Sequence, residues 1–86
     1  MIQPIWKNIP GMYSHVAGDA DGEVYAYRNE PVMIEKDGIF FQNDPGSVLE
    51  RRNAGSVMKL DKGFHYHGEA GNVDWKYSLV SRQIGE

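Results

Sequence analysis

The chain has 86 residues, 41% of them hydrophobic and 12% aromatic, which is the balance of one folded domain spanning 1–86 with a modest core. A net charge of -3 argues against a strongly electrostatic nucleic-acid binder, and the absence of cysteine removes disulfides, thiolate zinc sites and cysteine nucleophiles. No apolar run approaches the roughly 18 residues of a membrane span, and Pro4 and Pro10 interrupt the start where a leader needs an apolar centre. The expectation is a soluble, unprocessed protein of a reducing cytoplasm, with no membrane contact.

From the N-terminus, residues 1–12 read as extended, and Pro4 and Pro10 confine them to a sheet edge or a wrapping arm. Apolar residues then recur with a period of two between Gly-containing turns, which predicts antiparallel strands at 23–27, 32–35, 39–42, 56–60, 64–68 and 73–81. Lys36-Asp37-Gly38 between two apolar runs is a strong hairpin signal, and Asp61-Lys62-Gly63 and residues 68–72 carry similar turn chemistry. A short helix is expected at 47–52, with Asp44 as cap and Pro45 at its first position, closing one end of the sheet with Val48 and Leu49. The predicted fold is all-β with minor α: a small curled antiparallel sheet or partly open barrel of five to six strands, built from neighbours in sequence, with one short helix near 45–52.

In the last predicted strand Val73, Trp75, Tyr77 and Leu79 share one face, opposite Asp74, Lys76 and Ser78. Phe64 and Tyr66 are expected to join Trp75 and Tyr77 in the core, leaving His65 and His67 beside the polar row. His-x-His on a strand can give two ligands to zinc, iron or manganese, and it resembles the first metal motif of cupins. Glu69 follows His67 too closely for that motif and no later histidine completes it. No metal and no cofactor is expected, His65 and His67 being the pair that would hold a metal.

Asp19, Asp21, Glu23 and Glu30 echo the spacing of a calcium loop, but Val24 stands where that loop needs glycine, so an acidic solvated turn is expected. Ser14 and His15 are merely adjacent, with neither a nucleophile elbow nor a phosphate-cradling glycine loop nearby, so no catalytic residue is assigned. Cations for a nucleic-acid surface would be Arg51, Arg52, Lys59, Lys62 and Lys76, with Lys59 and Lys76 flanking the histidine strand.

Trp6-Lys7-Asn8-Ile9-Pro10-Gly11, followed by Tyr13, Val16 and Gly22-Glu23-Val24, resembles the NUMOD4 motif, a short module found beside HNH-type homing endonucleases of phages. Tyr25, Ala26 and Tyr27 replace that family's basic or serine residues, Asp19, Ala20 and Asp21 form an acidic insertion, and no HNH motif follows. The resemblance implies DNA contact and a phage or mobile-element origin.

Two Trp, five Tyr and three Phe are more than a core of this size hides, and exposed aromatics on edge strands are the material of protein interfaces. Met12, Tyr13, Tyr25, Tyr27, Met33 and Phe40, together with His65, His67 and Lys76, form the expected binding surface, because Val24, Ala26, Ile34 and Phe41 suffice for the core side. Burial of both faces, as in a sandwich or dimer, is the other possibility. The expected function is non-catalytic binding through a partner protein or self-association into a homo-oligomer, with a nucleic-acid-binding accessory role as the alternative.

Overall fold

The computed structural model describes residues 2–42, 57–69 and 72–83. The helix expected at 47–52 lies outside the described residues, as do Arg51 and Arg52. Eight short strands are present among the described residues: β1 (Gln3–Pro4), β2 (His15–Gly18), β3 (Val24–Tyr27), β4 (Val32–Ile34), β5 (Ile39–Phe41), β6 (Val57–Lys59), β7 (Tyr66–His67) and β8 (Val80–Ser81). Tight 3₁₀ turns occupy Trp6–Asn8, Glu35–Asp37 and Asn72–Tyr77.

The fold is a small all-β one, with several antiparallel sheets that do not close into a barrel among the described residues. Its centre is the β2–β3 hairpin, in register Val16↔Ala26 and Ala17↔Tyr25. Within its turn Asp19 N–H donates to the Glu23 carbonyl at 2.8 Å, and the Asp21 carboxylate accepts the Glu23 N–H at 2.9 Å. β6 pairs with β3 and β8 with β2, completing a sheet of order β6-β3-β2-β8. Two two-stranded ribbons, β1–β7 and β4–β5, accompany it.

Strand alternation sends successive side chains to opposite faces, and here both faces are buried. One cluster gathers Ile2, Ile9, Tyr13, Val16, Val24, Ala26, Leu60 and Tyr66, supplied largely by the N-terminal arm and β7. The other gathers Ala17, Tyr27, Phe40, Val57 and Trp75, with the Phe40 and Trp75 rings edge to face at 5.7 Å. Two-sided burial explains why β2 escapes the period-two reading: Val16 and Ala17 are both fully buried, on opposite faces, so the strand has no polar face to betray it.

The N-terminal arm packs against the sheet through Ile2 and Ile9, but it is not extended throughout as expected, since Trp6–Asn8 forms a 3₁₀ turn after the short β1. Arg82 N–H donates to the Ser14 carbonyl at 2.7 Å, and its guanidinium donates to the carbonyls of Ile9, Pro10 and Tyr13 while lying 4.5 Å from the centre of the Trp6 ring.

The strand expected at 73–81 is replaced by the 3₁₀ turn Asn72–Tyr77 and the two-residue β8. In a 3₁₀ turn residues three apart share a side, which is why Trp75 and Ser78 are both buried while Tyr77 is 82% exposed. Ser78 Oγ accepts the Gly18 N–H at 2.8 Å and lies 2.7 Å from the Trp75 carbonyl, tying this turn to β2. Residues 64–68 likewise reduce to β7, and β7 pairs with β1 instead of the C-terminal segment. Phe64 is therefore 58% exposed where a core position was expected, although Tyr66 is buried as anticipated. Pairings β1–β7, β2–β8 and β3–β6 join segments distant in sequence, so the sheets are not the meander of neighbours that the turns suggested.

Candidate functional site

The expected aromatic surface is largely interior. Tyr13 is buried in the first cluster with Ile2 and Ile9, Tyr27 and Phe40 are buried in the second with Val57 and Trp75, and Tyr25 is half-buried against that second cluster. Met12 and Met33 do lie at the surface, as do Val32, Phe64 and Tyr77.

Met33 sits in the middle of β4, opposite Phe40 in the ribbon. Phe40 N–H donates to Asp19 Oδ1 at 2.9 Å, and the Phe40 carbonyl accepts the Tyr27 hydroxyl at 3.2 Å. Both backbone groups of Phe40 therefore point toward the central sheet, away from β4. In an antiparallel ladder this makes Met33↔Phe40 a non-hydrogen-bonded pair, flanked by the pairs Val32↔Phe41 and Ile34↔Ile39. The N–H and C=O of Met33 must then point outward from the free edge of β4. Among the described residues no strand pairs with that edge. Val32 at 49% exposure and Met33 at 41% are consecutive residues on opposite faces, so both faces of the strand reach solvent at this point, between the buried Pro31 and the half-buried Ile34.

Asp19 is also not the solvated carboxylate expected of an acidic turn: it is 2% exposed and fixes β5 through Phe40. The neighbouring carboxylates diverge, Asp21 capping its own turn and Glu23 reaching Lys59 at 2.9 Å, so they do not assemble a calcium site.

His65 and His67 do not act as a parallel ligand pair. His65 Nδ1 accepts the Asp61 N–H at 2.9 Å, which in the neutral ring puts the proton on Nε2, while His67 is exposed opposite Gln3. Among the described residues no group of three or more His, Asp or Glu gathers where a metal could be held. His15 Nδ1 lies 2.9 Å from Ser81 Oγ, but no carboxylate among the described residues is bonded to that ring as a triad requires.

The described cations of the nucleic-acid alternative are each matched locally. Lys59 pairs with Glu23, Lys62 with Glu69 at 3.1 Å and Lys76 with Glu35 at 2.6 Å. Lys59 and Lys76 lie on β6 and in the 3₁₀ turn Asn72–Tyr77, so they do not flank the histidine strand as expected. The hydrogen bonds that Lys59 and Lys76 donate to Glu23 and Glu35, with the negative charge of those carboxylates, hold both lysine pKa values above the usual range.

The edge of β4 was poorly visible in the sequence. Pro31, immediately before Val32, was the available signal, since proline is confined to strand starts and edges. No helix among the described residues is long and apolar enough to cross a membrane. Comparison with protein-family models, curated proteins and solved structures gives no match to this chain.

Proposed function

We propose that this protein is a small non-catalytic binding module that works through protein–protein contact, accepting a partner strand at the free edge of β4. The observation that carries the reading is Met33, whose backbone N–H and C=O are aimed outward while its side chain and that of Val32 stay exposed. Strand addition uses this combination, with main-chain hydrogen bonds supplying affinity and alternate side chains supplying selectivity. Extended heptapeptides selected from a random display library test it. Binders should move the Met33 amide resonance and its neighbours in β4, and binders that instead perturb β7 or β6 would sink the reading.

A second reading, a nucleic-acid-binding accessory protein of phage or mobile-element type, is supported by one junction. Asn8 Nδ2 donates to the Phe64 carbonyl at 2.7 Å, setting the exposed Phe64 beside the Trp6-Lys7-Asn8 turn that resembles the NUMOD4 block. An exposed ring beside cations suits base stacking. DNA or RNA retention that falls steeply from low to moderate salt supports it, and no retention at low salt removes it.

A further inference from the structure

We propose that the strand received at the edge of β4 is β4 of a second copy of this chain, paired antiparallel with Met33 opposite the partner's Met33. This rests on the reading of β4 as the contact edge and names its occupant. An antiparallel two-fold contact needs a central residue whose N–H and C=O both face outward, so that each copy donates to and accepts from the other. Met33 meets that requirement, because Phe40 turns its own backbone groups toward Asp19 and Tyr27.

The sequence around Met33 is complementary to its own reverse. With Met33 at the centre, Val32 falls opposite the partner's Ile34, which continues an apolar contact on one face. Glu30 and Lys36 are equidistant from Met33 in sequence, Glu30 before β4 and Lys36 in the 3₁₀ turn Glu35–Asp37 after it, so the two-fold brings each Glu30 to the end of the contact where the partner's Lys36 lies, and symmetry makes the pair twice. Both side chains are exposed, and the ion pairs described within the protomer use Glu23, Glu35 and Glu69 with Lys59, Lys76 and Lys62 instead. The ladder cannot run far: Pro31 has no N–H, and the Glu35 carbonyl already accepts the Gly38 N–H at 3.1 Å. A short ladder with two charge pairs makes a reversible dimer, with a dissociation constant on the order of 100 µM.

Sedimentation velocity on the full chain, from about 10 µM to about 1 mM, tests this against the expected dissociation constant. The expected result is a concentration-dependent monomer–dimer equilibrium. Glu30→Lys and Lys36→Glu should each weaken it about tenfold by setting like charges face to face, and the double variant should restore it by re-forming both pairs with reversed sign. Unchanged denaturation midpoints in these exposed variants confirm that folding is intact. A strictly monomeric protein, a dimer indifferent to both single reversals, or a double variant weaker than either single one overturns the proposal. If the protein is monomeric while selected peptides still move the Met33 amide, the second copy is the wrong occupant and the contact edge stands. If neither occurs, both readings fail.

Discussion

Tyr66 and Asp19 show how single buried polar groups set the limits of this fold. Burial is the main cause that pushes the Tyr66 hydroxyl pKa up, since the phenolate would lose its water among Ile2, Val24 and Leu60. A folded-state pKa raised above the unfolded value of about 10 gives stability that is complete below that pH and is lost as pH rises through the folded value. Lys59 and Lys76 are shifted in the same direction by Glu23 and Glu35, and as solvent-screened surface ion pairs they add little. Urea midpoints should therefore hold steady to about pH 10 and then fall, and Tyr66→Phe should flatten part of that fall. Identical alkaline profiles for the two proteins would contradict the assignment. Asp19 makes a complementary prediction. Removing its carboxylate leaves the buried Phe40 N–H without this acceptor, so Asp19→Ala should cost about 1–3 kcal/mol in chemical denaturation, and Asp19→Asn, which keeps an acceptor oxygen, should cost less.

Turns decide the elements. Gly38 ends the 3₁₀ turn Glu35–Asp37 in the left-handed region, at φ 70°, and an added Cβ would stand 3.1 Å from the Ala20 Cβ. Gly63 has a positive φ but open space around it. Thermal melts should show Gly38→Ala losing about 1–2 kcal/mol for conformation plus a further loss for the Ala20 contact, with Gly63→Ala losing the smaller amount. Equal losses would mean that the approach of Ala20 carries no weight. The Lys36-Asp37-Gly38 hairpin was legible in sequence because its chemistry is local. The Val73-Trp75-Tyr77-Leu79 alternation misled because a 3₁₀ turn also spaces apolar residues closely, and selects Trp75 with Ser78. The candidate site was half legible: Met33 belonged to the expected apolar surface and is exposed, whereas Tyr27 and Phe40, not distinguishable from it in sequence, are interior, packed in a cluster with Val57 and Trp75 from distant segments. The outward aim of the Met33 backbone depends on two long-range bonds, Phe40 N–H to Asp19 Oδ1 and the Tyr27 hydroxyl to the Phe40 carbonyl, which no local pattern encodes.

At the scale of the whole molecule, seven of the ten aromatic residues lie in or against two clusters, one on each face of the central sheet, while Phe64 and Tyr77 stay exposed. Apolar side chains left at the surface are therefore not needed to complete either cluster, and those on β4 coincide with an unpaired strand edge. Charge agrees with this division of labour: the described lysines expected to bind nucleic acid are spent on Glu23, Glu35 and Glu69, while Glu30 and Lys36 stay exposed on either side of β4. The central claim, that the β4 edge is the working surface, comes down to one N–H group. Chemical synthesis of the chain with an N-methyl group on Met33 removes that outward donor. Calorimetric titration with a peptide selected on the unmodified protein should then show affinity reduced by about tenfold or more, at an unchanged denaturation midpoint. Peptide affinity equal to that of the unmodified protein would contradict the account.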